Sequence, residues 1–168
     1  MAPPVVPGRV VTADRVTVAA VPAFRVLALR HAVLRPGRPE SEARYSVDDA
    51  PTTVHVAVVD DEDTVISCGT FFPEPLDGEP AWRIRGMATD QAHRGRGLGS
   101  AVLRAGVQHV ADAGGTLVWC NARSAALSLY RRAGFETVGD EFDTPVGPHY
   151  RAVLRIPTTA GQANETVS

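Results

Sequence analysis

The chain has 168 residues, enough for one well-buried core and too few for two ordinary domains. Hydrophobic residues make up 44% and charged residues 21%, and no apolar stretch approaches the roughly 20 residues of a membrane helix, which argues against a membrane protein. The net charge of −2 argues against a general electrostatic attraction to nucleic acid.

The first residues lack the basic start and apolar core of a secretory signal, and we therefore expect a cytoplasmic protein. All 17 basic residues are arginine, a bias that suggests a GC-rich bacterial source. The histidines and cysteines show no metal-ligand spacing, so no metal is expected. Cys68 and Cys120 lie in apolar, strand-like runs, which favours buried small side chains over a disulfide or a nucleophile.

The chain begins with a proline-rich segment, residues 1–14, that we expect to be loose. A short strand is predicted over Arg15–Ala20, where apolar residues alternate. Pro22 then opens a predicted helix whose apolar face carries Phe24, Leu27, Ala28, His31 and Leu34. Residues 36–39 end this helix, and a polar connection with room for a short helix continues to residue 50.

A β-hairpin follows, because Thr53–Val59 and Thr64–Phe72 have strand-like patterns on either side of an acidic turn at residues 60–63. Residues 73–80 hold three prolines and a glycine, which predicts a loop. The next strand, Ala81–Thr89, ends at a glycine-rich turn.

The second half alternates helices and strands. A helix is predicted over residues 98–113, stopped by two glycines, and Thr116–Cys120 is a short apolar strand. Another helix is predicted over residues 124–133, with Ser124 as its N-cap, Gly134 at the C′ position and Phe135 packing back.

Two last strands, Thr137–Phe142 and His149–Ile156, precede a polar tail at residues 157–168. The predicted order is β-α-β-β-β-α-β-α-β-β. It indicates one α/β domain, of the α+β kind, over residues 15–156, with a mixed sheet of six to seven strands and helices on both faces.

The most informative segment is the glycine-rich turn Gln91–Ser100, with glycines at positions 95, 97 and 99. Its backbone N–H groups, and those at the start of the following helix, are typical of a phosphate or pyrophosphate site. A P-loop is excluded because the chain has no lysine, and the dinucleotide fingerprint fails at Ser100, where its third glycine should stand. A turn without a ligand would not explain its basic residues, Arg94 and Arg96.

The pattern Arg94-x-x-Gly97-x-Gly99, between a strand and an amphipathic helix, resembles the coenzyme A motif of the GCN5-related N-acetyltransferase (GNAT) family. A second motif of that family follows about 30 residues later, as a strand and then Leu129-Tyr130-x-x-x-Gly134-Phe135. The resemblance covers residues 15–156 and implies a mostly antiparallel central sheet and acetyl-CoA as the acyl donor. Residues 119–123, 141–143 and 147–150 are also similar to bacterial ElaA/YjcF-like acetyltransferases.

The resemblance implies roles for individual residues. The strand ending at Met87 and Ala88 pairs with the pantetheine arm of the cofactor, and the Ala88 N–H stabilises the oxyanion. Tyr130 matches the general acid for the coenzyme A sulfur, although an aromatic at this spacing is more often a packing residue. The pyrophosphate is bound by the turn: Arg94, Gly95, Arg96, Gly97, Leu98, Gly99 and Ser100.

Asn121 is a further cofactor-side candidate, since Arg123 stands where the family often has a helix-opening asparagine. Arg123 itself is a candidate contact to phosphate or substrate. The general base is harder to assign, because residues 82–87 lack the glutamate that many family members carry there. His149 is a candidate, with a hydrogen-bonded loop histidine as the alternative. Glu141 is a second candidate, with an exposed or structural carboxylate as the alternative.

Arg83 and Arg85 alternate with their neighbours and therefore share one face of their strand. They favour an anionic acceptor if that face lines the acceptor groove, and solvated strand charges are the preferred alternative.

The sequence thus predicts an N-acetyltransferase that moves the acetyl group of acetyl-CoA to a primary amine of a small molecule or a protein. We expect a monomer or a homodimer. The competing prediction is a degenerate acyl-CoA-binding sensor without turnover, which the missing strand carboxylate keeps open.

Overall fold

The structure of the protein is a computed structural model that describes residues 16–158. Its strands are β1 (Thr17–Val21), β2 (Val54–Val59), β3 (Val65–Pro73), β4 (Trp82–Thr89), β5 (Leu117–Arg123), β6 (Glu136–Thr144) and β7 (Gly147–Arg155). Its α-helices are α1 (Leu27–Leu34), α2 (Leu98–Asp112) and α3 (Leu127–Arg132). The predicted loose segment 1–14 and residues 159–168 of the predicted tail lie outside the described residues.

The strands form one mixed sheet in the order β1-β2-β3-β4-β5-β7-β6. Only the β4–β5 pair is parallel among the strand pairs of this described sheet, and the other neighbours are antiparallel. This mostly antiparallel sheet with helices packed on it confirms the predicted fold class.

The helices α1 and α2 cover opposite faces of the sheet. In β3, Thr70 accepts a hydrogen bond from Arg30 of α1, whereas the next residue, Phe71, packs in the core with Val102 of α2. Because successive side chains of a strand point to opposite faces, these contacts define an α1 face and an α2 face. The larger apolar core lies on the α2 face.

Several local predictions are confirmed. The hairpin β2–β3 forms, and Asp60 closes its turn by accepting the backbone N–H groups of Glu62 and Thr64. Helix α2 occupies almost the predicted range, and Gly114 and Gly134 follow α2 and α3 in the left-handed conformation. The backbone bond from Phe135 N–H to the Tyr130 carbonyl completes a Schellman cap after α3.

The prediction for the first helix is wrong in its start and in part of its buried face, although Leu27 is buried as predicted. Pro22 precedes a 3-10 turn, Ala23–Arg25, and the α-helix begins only at Leu27. Phe24 is 73% exposed and Ala28 is exposed as well. The buried positions include Arg30, because a salt bridge with Asp48 compensates its charge inside the protein.

The prediction that Ser124 caps α3 is also wrong. Residues 124–126 form a 3-10 turn, α3 begins at Leu127, and the Ser124 hydroxyl donates instead to Glu141 at 2.7 Å. The preceding strand is longer than predicted, since β5 continues to Arg123 through its pairing with β7.

The two cysteines are buried and unbridged, as the sequence predicted. Across residues 16–158, no helix combines the length and the apolar character needed to cross a membrane.

Candidate active site

A cleft opens between the two parallel strands. Strands β4 and β5 pair only at Trp82–Val118 and Arg83–Trp119, and beyond these residues they separate. A cavity of about 1130 Å³ lies at this opening. Its lining comes from both strands, the turn before α2, helix α3, the end of α1 and the β6–β7 hairpin. All predicted site residues except Arg96 and Glu141 contribute to this lining.

Gly86 bends β4 beside the cavity. Its φ is +67°, and the register with β3 shifts here, because Cys68 pairs with Ala88 whereas Thr70 pairs with Arg85. Two residues of β4 thus oppose one of β3, which is a β-bulge. A Cβ on Gly86 would lie 2.8 Å from the Nε of buried Arg30, so both conformation and space require glycine.

The backbone amide of Ala88, after the bulge, is directed toward Cys68 of β3. Burial raises the pKa of the Cys68 thiol to about 12, and a hydrogen bond from the Ala88 N–H opposes that shift. The same thiol donates to the Gly86 carbonyl at 3.7 Å. The Ala88 N–H therefore faces β3. Met87, the preceding residue, belongs to the bulge and lines the cavity.

The glycine-rich turn presents unpaired backbone donors to the cavity. Gly95 and Gly97 are left-handed, with φ of +78° and +75°, and Gly97 is the N-cap of α2. The first hydrogen bond of the helix runs from the Ala101 N–H to the Gly97 carbonyl, so the N–H groups of residues 98–100 precede the helical ladder. The first turn of α2 contains no acidic residue. This arrangement suits a bound anion.

Side chains shape the turn and add positive charge to it. Asp90 accepts hydrogen bonds from the Ala92 N–H at 3.2 Å and from Nδ1 of His93 at 2.8 Å. Arg94 is exposed at the cavity and donates to the Thr89 carbonyl. Arg96 is half-buried and stands beside the cavity rather than in its lining.

Tyr130 reaches the cavity from α3 and is 5% exposed. Its ring packs edge-to-face on Phe135, with the centroids 5.6 Å apart. Burial raises the pKa of Tyr130 well above the usual phenol value, and the neighbouring Cys120 and the hydrogen bond between the two side chains raise it further. The phenol is therefore protonated throughout the neutral range.

His149 lies on β7, is 7% exposed and lines the same cavity. Its Nδ1 is 2.9 Å from the Gly147 carbonyl, which can only accept a hydrogen bond, so Nδ1 is the donor and Nε2 is the ring nitrogen left for another partner. Glu141, the other candidate base, is exposed, bonds to Ser124 and is not part of the cavity lining.

Asn121 and Arg123 extend the lining along β5. Neighbouring Cys120 and Ala122 belong to the core on the α2 face, which places Asn121 and Arg123 on the α1 face. The Asn121 amide oxygen accepts from Nε of Arg151 at 3.0 Å.

Arg83 and Arg85 are not solvated strand charges, so the preferred sequence-based prediction for them is wrong. Both are half-buried and line the cavity. Arg83 bonds to Glu74 at 3.0 Å and lies over the ring of Trp119. Arg85 lies 3.9 Å from the ring centroid of Tyr45, and burial lowers its pKa.

Two cavity residues, Arg35 and Tyr45, escaped the sequence analysis. Both belong to the polar connection after α1, whose residues have no periodicity or motif that would single them out. Two guanidinium groups stack on the ring of Tyr45. The Cζ atom of Arg30 lies 4.0 Å from the ring centroid, and that of Arg85 lies 3.9 Å from it. Only the fold brings these residues together.

The chain is similar to proteins of one family. A sequence profile of the Acetyltransferase (GNAT) family matches residues 23–135. The chain is 36% identical over 125 residues to the uncharacterized N-acetyltransferase YitI of Bacillus subtilis (strain 168), which covers 72% of this chain and 83% of that protein.

Solved structures share the fold. A GNAT family N-acetyltransferase (YhbS) from Escherichia coli, in complex with CoA, superposes with a TM-score of 0.68 at 22% identity, covering 88% of this chain and 85% of that one. An aminoglycoside 6'-N-acetyltransferase complexed with coenzyme A has a TM-score of 0.68 at 15% identity. The match covers 84% of this chain and 98% of that one.

Proposed function

The chain belongs to the GNAT family of N-acetyltransferases, and we propose that it transfers the acetyl group of acetyl-CoA to a primary amine. The observation that carries this proposal is the position of the left-handed Gly97 turn. It directs the free N–H groups of α2 into a cavity that continues to the opening between β4 and β5. A diphosphate at one end and an extended thioester arm along β4 both match these groups.

The residues around the cavity fit coenzyme A. Backbone N–H groups of the turn, with Arg94, would hold the pyrophosphate. The β4 backbone, unpaired with β5 beyond Arg83, offers hydrogen-bonding groups to an extended arm. Arg132, also in the lining, adds a further cation on α3. The backbone N–H of Met87, a lining residue, would stabilise the negative charge that develops on the thioester oxygen.

Acetyl-CoA supplies the acyl group as a thioester, so attack by the amine nitrogen on its carbonyl carbon forms a C–N bond and breaks the C–S bond. Tyr130 gives its phenol proton to the departing sulfur. His149 accepts the proton that the amine loses at Nε2, directly or through a water molecule. These two side chains approach the cleft from opposite faces, Tyr130 from α3 and His149 from β7 on the α1 face.

A second candidate function is a sensor that binds acyl-CoA without turnover. Among the described residues, the cavity lining contains no aspartate or glutamate, so the strand carboxylate common in the family has no replacement there. The sensor function therefore predicts binding without chemistry.

Thiol release separates the two functions. The purified chain is incubated with acetyl-CoA and each member of a panel of primary amines, and free coenzyme A and acetylated amine are both quantified. The transferase function predicts equal amounts of the two products with at least one amine, above the hydrolysis seen without amine. Saturable binding of acetyl-CoA with no thiol release from any amine would establish the sensor function instead.

A further inference from the structure

We infer that the acceptor carries an anionic group, a carboxylate or a phosphate, close to its amine, and that Arg35, Arg85 and Arg123 bind this group. The inference rests on the proposed function, because it names the chemistry of the second substrate. The three arginines line the cavity and are half-buried. They are defined here as the arginine cluster.

The cluster carries uncompensated positive charge. No aspartate or glutamate among residues 16–158 forms an ion pair with any of its three members. The two arginines nearest to it are neutralised, Arg30 by Asp48 at 2.8 Å and Arg83 by Glu74 at 3.0 Å. A cavity wall with several cations and no carboxylate is unfavourable until an anion enters it.

Two members of the cluster share one acceptor. Nη1 of Arg35 donates to the Leu34 carbonyl at 2.8 Å, and Nη2 of Arg123 donates to the same oxygen at 3.2 Å. Two guanidinium groups are thus brought together although they repel each other, and burial and this repulsion lower the pKa of Arg123. An oxyanion between them would replace repulsion by charge-assisted hydrogen bonds.

The third member is held in place by stacking. Arg85 lies against Tyr45, and the opposite guanidinium on that ring, Arg30, is fixed by Asp48 and Thr70. A planar guanidinium group that is already held by stacking loses little conformational freedom when it binds a carboxylate or phosphate.

The cluster is separate from the pyrophosphate turn. Arg85 follows Ile84, which packs in the core on the α2 face, so Arg85 points to the α1 face. Arg123 lies on the α1 face as well, whereas the glycine-rich turn leads into α2 on the other face. The two anion sites therefore lie on opposite sides of the sheet, with the β4–β5 opening between them.

The cluster also adjoins the candidate base. His149 is the cross-strand partner of Arg123, so their side chains lie on the same face of the sheet. An acceptor anchored by its anion on Arg123 would present its amine near Nε2 of His149. The charges lie within a cavity, which favours a small molecule over a protein surface.

The test compares matched amines. One arm of the panel pairs amino acids with their amides, in which the carboxylate is replaced by a neutral group. The other arm pairs O-phosphoethanolamine with ethanolamine, so the two arms distinguish carboxylate from phosphate. A short peptide with an acidic N-terminal residue tests a protein acceptor. We expect kcat/KM to favour the anionic member of at least one pair by roughly 10- to 100-fold, the effect of a charge-assisted hydrogen bond.

Arg85→Gln and Arg123→Gln are measured separately, with Arg104→Gln as the control, because Arg104 is exposed on α2 outside the cavity lining. Each cluster variant should reduce the preference for the anionic amine about tenfold or more while the Kd of coenzyme A stays unchanged. Circular dichroism and thermal melting identify any variant that does not fold. If one cluster variant does not fold, the other is used to test the inference.

Calorimetric titration of the same amines into the protein saturated with coenzyme A separates this inference from the proposed function. Selective binding of anionic amines without thiol release would support the cluster and contradict the transferase. The inference would be overturned by turnover that shows no preference for the anionic amine, or by a preference that both variants retain. It would also be overturned by turnover with the peptide alone, or by loss of coenzyme A affinity in the variants.

Discussion

At the scale of single residues, burial sets the protonation of Tyr130, the proposed general acid. The phenol is enclosed by Phe135 and Cys120, and this environment raises the pKa of Tyr130. A general acid must be protonated when the leaving group departs, and a raised pKa ensures this over the whole neutral and mildly alkaline range. The packing of this ring is therefore compatible with the proposed catalytic role.

Tyr130→Phe should lower kcat by about 10²- to 10⁴-fold, the usual contribution of general acid catalysis, because the ring keeps its packing and loses its proton. The Kd of coenzyme A should change little. Steady-state kinetics and calorimetry measure the two quantities. Tyr150→Phe is the control, since Tyr150 is a partly buried tyrosine outside the cavity lining. An unchanged kcat in Tyr130→Phe would remove the acid role.

At the scale of elements, a buried ionic network attaches α1 to the sheet. Arg30 makes hydrogen bonds to both carboxylate oxygens of Asp48 and to Thr70, and Thr70 continues to His55. His55 completes the network at the Asp48 carbonyl. Burial lowers the pKa of His55, which favours its neutral form. The network fixes Tyr45 and thus one wall of the cavity.

Asp48→Ala should reduce the free energy of unfolding by about 3 to 5 kcal/mol, because it leaves the Arg30 charge buried and uncompensated. Urea titration measures the change. The matched control is Glu79→Ala, which removes the partner of exposed Arg155 and should leave the urea midpoint nearly unchanged. Equal midpoints for the two variants would show that the network does not support the fold.

The elements also show what could be predicted from sequence. Alternation of apolar residues identified the β2–β3 hairpin, and helical spacing with two glycines identified α2, because both signals are local. Arg30 was missed because a single arginine in a helix is usually exposed. Its buried partner, Asp48, stands 18 residues away and is brought to it only by the fold. The capping prediction for Ser124 was wrong for a similar reason, because its hydroxyl donates to Glu141, a residue of β6 that is distant in sequence.

At the scale of the whole molecule, the positions of the glycine turn and Tyr130 at one cavity were predictable because each belongs to a contiguous motif. The arginine cluster was not, because its members come from the residue after α1 and from β4 and β5. Sequence alternation showed that Arg83 and Arg85 share a face, yet only the packing of α1 and Tyr45 shows that this face lines a cavity.

The stability of the whole fold should fall at alkaline pH. Burial raises the pKa of Cys68 and of Cys120 from 9.0 to about 12. The folded state thus binds these protons more tightly than the unfolded state, so their contribution is present below pH 9 and is lost between pH 9 and about 12. The urea midpoint should decline over this window, and less steeply in Cys68→Ala. The same slope in the variant would contradict this origin.

The binding of coenzyme A at the glycine turn is tested most directly by comparing two glycines. Gly97 and Gly114 both have left-handed backbones, with φ of +75° and +82°, and a Cβ on either would meet nothing within 4 Å. Alanine at either position should therefore cost the fold a similar amount, about 1 to 2 kcal/mol. Gly97 adjoins the proposed pyrophosphate position, whereas Gly114 lies at the far end of α2.

Isothermal titration of coenzyme A into the wild-type chain, Gly97→Ala and Gly114→Ala gives the comparison. Wild type and Gly114→Ala should bind with the same Kd, and Gly97→Ala should bind at least about tenfold more weakly, because a displaced turn no longer aims its N–H groups at the phosphates. Equal affinity in both variants, or no binding heat in the wild type, would contradict the account.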